Sequence, residues 1–340
     1  MSPRSPLLIA ILGPAGVALA QPGATFQGLG GIDGSRAEGI SADGLVVVGT
    51  LLGPTPAAFR WTDTTGTEPI GSLPGATSTS AHAANASGNV IVGVAFDSNG
   101  SRAFLWTPSA GMCEIPEVPG SMPGSFGVSA QAVSHNGRVI AGASGLFPAR
   151  WSITRKGILL GPPTPPSWGF AFGISGDGQF IVGGSAWTGH AFRWSAAFGS
   201  QDLGTLPFAF ESIAYAANLD GTVIVGESDQ RAFRWTKAGS MHAIGGPGFS
   251  AAYAVNASGS VVVGKRLDMQ TPQAMLWSPA LGTVTIESLL KGFGVMPEGW
   301  QLAVATGISA DGRTIVGVGT HDLDSGPITE GWIVTLPNTP

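Results

Sequence analysis

The stretch AEGISADGLVVVG at residues 37–49 ends a tight turn on Asp-Gly and runs at once into a β-branched segment that closes on a second glycine. With Gly44 as a ruler, the pattern returns at Gly88, Gly137, Gly178, Gly221, Gly259 and Gly312. Five residues beyond each stands another glycine: Gly49, Gly93, Gly142, Gly183, Gly226, Gly264 and Gly317. The chain is thus seven copies of one unit, and a repeat of this kind decides a fold before local propensity does.

Between the paired glycines lie LVVV, NVIV, RVIA, QFIV, TVIV, SVVV and RTIV, which read as strands that follow Asp-Gly, Ser-Gly or Asn-Gly turns. Each copy then reaches a tryptophan, three times through AFRW (58–61, 191–194, 232–235) and once through AFLW (103–106). Seven residues before the turn glycine every copy has alanine, from Ala37 to Ala305, and two residues further on every copy has Gly or Ala. In a strand of period two these small residues share one face, which must be closely approached. The other face is larger and varies: Glu38, His82, Gln131, Phe172, Tyr215, Tyr253 and Thr306.

A tight first strand, a β-branched second, a third ending in Trp and a fourth such as QDLGTLPF (201–208) make four short strands per repeat. That is the blade of a β-propeller, whose innermost strands crowd an axis. The fold expected is all-β, a seven-bladed β-propeller of four-stranded blades; a β-solenoid is the alternative, with repeats that are usually shorter. The seventh copy stops almost at Trp332, while QGLGGI (27–32) near the beginning resembles QDLGTL (201–206). The N-terminal strand is therefore expected to close the last blade and remove the open edges of the array.

The pattern A-x-G-I-S-x-D-G-x-x-x-V-G followed by H/R-A-F-R-W resembles the HAF-type repeats of bacterial extracellular proteins, and GHAFRW (189–194) is a close match. PEGWQLAVATGISADGRTIVGVGT (297–320) is similar to the last unit of such proteins. The resemblance covers roughly residues 30–340. It implies an exported bacterial repeat protein and supplies no catalytic residues. Copy three departs from it with LFPARW (146–151), and copy seven lacks the Ala-Phe-Arg segment.

Composition agrees with a large folded core: 340 residues with 53 Gly and 25 Pro, of which only 11% are charged. A net charge of −5 gives no electrostatic footprint for nucleic acid or anionic lipid. Residues 1–20 read as a secretory signal, with Arg4 before an apolar run and Ala18-Leu19-Ala20 at the cleavage site. Residues 21–340 then form one domain, secreted into the medium or the periplasm. A membrane anchor is disfavoured because Gly13, Pro14 and Gly16 interrupt a run that falls short of the roughly 20 residues a bilayer needs.

Cys113 is the only cysteine and reads as a small buried hydrophobe. The five histidines show no metal spacing. HDLDSG (321–326) faintly resembles a calcium loop but fixes too few oxygens. SADG lacks the residue an Asp-box needs between Asp and Gly, and GLGGI is followed by no helix, so no dinucleotide site is read. The closing LPNTP only echoes a sortase signal. The sequons at Asn85 and Asn256 belong to the turn pattern, and neither metal nor cofactor is expected.

Function is expected on the face where loops vary in length and chemistry, among them GPPTPPSWGF (161–170), SAWTGH (185–190) and RLDMQTP (266–272). Trp168, Trp187 and His190 fall there, and Tyr215 and Tyr253 are expected near the channel mouth. Aromatic rings on a weakly charged surface suit sugars or a hydrophobic protein partner. The reading is a non-catalytic binding module for a glycan or an extracellular protein; the alternative is a propeller enzyme acting on extracellular glycans or polymers. A last expectation concerns AFRW: Arg60, Arg150, Arg193 and Arg234 occur in copies whose turn carries Asp or Asn, which predicts a bond between guanidinium and turn side chain.

Overall fold

A computed structural model of the chain describes residues 23–31, 33–121, 127–161, 168–186, 188–295 and 297–337. The proposed signal at 1–20 lies outside them. Seven four-stranded antiparallel sheets form a ring. The chain is a seven-bladed β-propeller.

Blade 1 shows the unit: inner strand Ser35–Ile40, second strand Val47–Leu51, third strand Ala57–Thr62 and outer strand Gly66–Pro69. Between inner and second strand, Ser41 Oγ donates to Asp43 Oδ1 at 2.5 Å and accepts from the Val46 amide at 2.9 Å, so the turn is built from its own side chains. Asn85, Asn218 and Asn256 do the same work through Oδ1, each taking the amide of the residue five positions on, and all three are buried. All seven turn glycines have φ between +66° and +79°, which only glycine adopts freely.

The invariant alanines and glycines prove to be partners. Ala37 stands opposite Gly49 in the ladder, and the same pairing recurs in every blade through Ala305 and Gly317. A Cβ on Gly49 would collide with the Arg36 carbonyl, and the Phe59 ring lies 3.0 Å from its ideal position. Small residues two places further along the inner strand let neighbouring blades approach, as where a Cβ on Gly39 would come within 2.6 Å of the His82 carbonyl.

The core lies between blades rather than within one. Val182, Ala191, Leu203 and Leu206 of blade 4 pack on Ala214, Ile224, Phe233 and Trp235 of blade 5. Truncating a fully buried ring such as Phe233 costs about 3–5 kcal/mol by the loss of packing and the cavity left. Cys113 is only half-buried, because the outer strand Gly111–Glu114 on which it sits has no further sheet to cover it.

Closure is as the sequence predicts. Thr25–Gly28 is the outer strand of blade 7, paired antiparallel with Gly326–Thr335 in the register Thr25↔Thr335 to Gly28↔Trp332. The Leu29 amide extends the ladder to the Gly331 carbonyl at 2.8 Å. Beside this seam the buried Glu330 carboxylate accepts from the Gly30 amide at 2.8 Å through Oε1 and meets His321 Nδ1 at 2.8 Å through Oε2.

The arginine expectation is corrected. Arg60, Arg193 and Arg234 donate to the carbonyls of Gly88, Gly221 and Gly259, the turn glycines of the next blade. The turn carboxylates are occupied locally, as Asp177 is by Ser175 and the Gln179 amide. The third strand faces the following blade, so a side chain on it reaches across the blade junction and not back to its own turn.

Candidate functional site

One register irregularity recurs in all seven inner strands. The ladder passes from Ala37↔Gly49 to Gly39↔Val48, leaving Glu38 without a partner, and the same skip occurs at His82, Gln131, Phe172, Tyr215, Tyr253 and Thr306. A bulge of this kind inserts one residue and re-aims its side chain. Here the seven unpaired residues form a collar around the axis.

Two cavities meet at this collar, and all seven bulge residues line both. One of about 540 Å³ has Lys265, Pro272, Ala303 and Val304 at its wall and opens toward the variable loops. The other, about 240 Å³, opens among turn-side residues such as Ala42, His135 and Leu219. The first alone falls within the usual range of about 300–1,000 Å³ for ligand sites.

The collar is chemically split. Blades 4 to 6 contribute rings that touch in sequence: Phe172 to Tyr215 at 5.7 Å between centroids, and Tyr215 to Tyr253 at 5.2 Å. Phe170, at the rim, continues the series to Phe172 at 6.2 Å. Blades 1 to 3 contribute the polar side chains Glu38, His82 and Gln131, and blade 7 the hydroxyl of Thr306.

Each polar group has a definable state. His82 Nδ1 lies 2.9 Å from the Ala130 carbonyl, an acceptor only, so Nδ1 carries the hydrogen and Nε2 presents a lone pair. Burial lowers the pKa of this imidazole and keeps it neutral, the bond to Ala130 opposing. Thr306 Oγ1 donates to the Ala37 carbonyl at 2.8 Å, tying blade 7 to blade 1. Burial raises the pKa of the Glu38 carboxyl, and Arg36 on the same strand works in the opposite direction. On the aromatic side, Tyr215 donates to Glu227 at 2.9 Å. Burial, then Glu227, push the Tyr215 hydroxyl above the ordinary phenol range. A bond to Tyr253 first, and nearby Glu227 last, hold the Lys265 ammonium above its usual value against desolvation.

Of the residues singled out in the sequence, Tyr215 and Tyr253 are brought together in the collar. Trp168 is exposed at the rim, two residues before Phe170, and does not line the cavity. His190 is turned to the edge of its own blade, where Nδ1 meets Asp202 Oδ2 at 3.0 Å. Trp187 lies outside the described residues. The collar residues missed as site candidates, Glu38, His82, Gln131, Phe172 and Thr306, had one signal: a variable position inside an otherwise uniform strand.

HDLDSG resolves into the end of a strand and a two-residue hairpin turn, with Leu323 paired to Gly326. Among the described residues no group of three or more His, Cys, Asp or Glu side chains is placed to hold a metal ion. Nor is any helix there long and apolar enough to cross a membrane.

No protein-family model matches the chain, and no curated protein does. Among solved structures, the crystal structure of TolB from Acinetobacter baumannii is 13% identical, with a TM-score of 0.45 over 69% of this chain and 61% of that one; the chain thus matches less than two thirds of TolB's length. The Myceliophteria thermophila Cps50 (Swd1) β-propeller domain is 12% identical, with a TM-score of 0.53 over 89% of this chain and 96% of that domain. At such identity the likeness to the Swd1 domain is one of fold alone, the β-propeller.

Proposed function

We propose that this chain is an exported, non-catalytic binding module that takes a glycan at the mouth of its central channel on the variable-loop face. The observation that carries the reading is the split collar, with a run of touching aromatic rings on one side and hydrogen-bonding side chains on the other. A sugar ring has the matching division, an apolar C–H face and a rim of hydroxyls. Exposed rings extend the apolar side outward: Trp168, Phe170, Phe208, Phe210 and Phe249 all stand in loops or strand ends of that face. Phe208 is fully exposed and has φ of +67°, a backbone strain of the kind that collects at binding loops.

Export rests on the segment 1–20 and on the resemblance to HAF-type extracellular repeats. An extracellular protein partner is the second reading, favoured by Met269 and Phe210, large apolar side chains that are almost fully exposed. A glycan array run beside a panel of chromogenic glycosides and esters tests the proposal. Glycan binding without turnover is expected; turnover would replace the binding module with an enzyme, and the absence of any glycan signal would favour the protein partner.

A further inference from the structure

We propose that Glu38, His82 and Gln131, on three consecutive blades, form a subsite for a primary ammonium group carried by a sugar ring. This rests on the glycan reading and narrows it to amino sugars with a free amine.

Each of the three side chains offers an acceptor, and the Gln131 NH2 is the one donor group left among them. Glu38 makes no hydrogen bond or ion pair with any described residue, and the Gln131 amide is likewise unengaged, so its carbonyl oxygen is free to face the cavity. His82 spends its one N–H on the Ala130 carbonyl and leaves a lone pair at Nε2. A hydroxyl has one hydrogen to give, whereas an ammonium has three and no lone pair. Three acceptors from adjacent blades around one cavity match the second group better than the first.

Charge points the same way. The Lys265 ammonium on the opposite side has Glu227 and the Tyr253 hydroxyl beside it, so its charge is already answered. Arg36, two residues before Glu38, is exposed and solvated. A cation in the cavity would therefore meet the Glu38 carboxyl, which has no hydrogen bond or ion pair among the described residues and feels only the charge of the exposed Arg36, and an anion would be repelled by it. The Phe172, Tyr215 and Tyr253 rings form the facing wall, where the apolar face of the carrier would lie and where a cation is also attracted by the ring electrons. The overall charge of −5 adds a weak long-range bias toward cations.

The test is titration calorimetry on the full chain with four probes: a glucosamine tetramer, its fully N-acetylated counterpart, cellotetraose and a tetrapeptide with a free amino terminus. Titration at neutral pH keeps the Glu38 carboxylate ionised, the state in which it would hold the sugar amine as an ammonium. The wild type is expected to bind the free-amine tetramer at least about tenfold more tightly than the acetylated one, a difference of about 1.4 kcal/mol. Glu38→Gln, which keeps shape and removes charge, is expected to erase that preference while still binding both sugars; a circular dichroism melt confirms that the variant is folded. Equal affinity for amine and acetamide, or a preference that survives Glu38→Gln, overturns the ammonium subsite and leaves the glycan reading standing. Binding of the peptide alone would keep the subsite's chemistry and overturn the sugar as its carrier. No binding of any probe would sink both.

Discussion

The guanidinium carbon of Arg193 in blade 4 lies 5.0 Å from the centre of the Trp235 ring in blade 5, and 4.7 Å from the Phe180 ring of its own blade. Arg150 over Trp194 and Arg234 over Trp277 repeat the relationship at 5.7 Å and 5.8 Å. Arg193 and Arg234 also donate to the turn carbonyl of the next blade, so each is a staple across a blade junction. The recurrence of AFRW is therefore architectural.

Arg193→Lys is expected to destabilise the fold, because an ammonium can neither stack as a plane between two rings nor reach the Gly221 carbonyl at the same time. The lost stacking and hydrogen bond amount to about 1–2 kcal/mol. A denaturant melt should show a lower midpoint with an unchanged slope, and an unaltered midpoint would refute the staple.

Closure of the ring makes Gly28 a sensitive position. An added Cβ would meet Glu330 Oε1 at 2.5 Å and the Trp300 ring at 2.8 Å. Gly28→Ala should thus cost about 1–3 kcal/mol through overpacking. Removing residues 23–34 should cost considerably more, since it unpairs Trp332 and takes the Gly30 amide from the buried Glu330 carboxylate. Thermal melting of both variants checks the order, and a shortened chain as stable as the wild type would show that the seam contributes nothing.

Glu38 is expected to be a liability to the free protein. Its pKa is raised in the folded state, so folding favours the protonated carboxyl; that contribution is complete below the unfolded value and is lost as pH rises through the folded one. At neutral pH the buried charge opposes folding. Glu38→Gln should raise the melting temperature there, by roughly 2–4 °C per kcal/mol recovered, and should have little effect in acid. A variant less stable than wild type at neutral pH would contradict the assignment.

Tyr215 and Tyr253 are the only tyrosines in the chain, so their ionisation can be followed by absorbance without labels. With Tyr253 changed to Phe, the remaining Tyr215 should resist ionisation at about pH 11, well past the ordinary phenol value of about 10. Adding Glu227→Gln should let it ionise earlier, because the carboxylate is part of what holds the proton in place. An ordinary titration curve in the single variant would remove Tyr215 from the buried collar.

The architecture was legible in the sequence because each blade restates the same constraints: a turn that needs glycine at positive φ, and an alanine whose cross-strand partner has no room for a side chain. Even closure could be read, from the kinship of QGLGGI with QDLGTL. The collar was harder. Period-two counting places Ala37 and Gly39 on one small face, but the bulge shifts the ladder by one residue: Ala37 pairs with Gly49 and Gly39 with Val48, so the two face opposite neighbouring blades and Glu38 between them is unpaired. The arginine partner was invisible for a different reason: a backbone carbonyl has no residue identity, so the covariation of Arg with Asp pointed to a side chain instead. His190 looked available until the fold brought Asp202 from the neighbouring strand against it.

The bulge has a consequence for how such a protein diversifies. A residue that takes no part in the ladder can be exchanged without disturbing the pairing of the strands around it, and its side chain projects into open volume rather than into the packed interior. Blades 1 to 7 thus offer seven addresses outside the ladder, of which His82 and Thr306 also bond a carbonyl of the neighbouring blade. Rewriting Phe172 or Gln131 should change what the channel admits while leaving the seven-blade ring intact, so relatives built on this repeat are free to share one scaffold and recognise unrelated ligands.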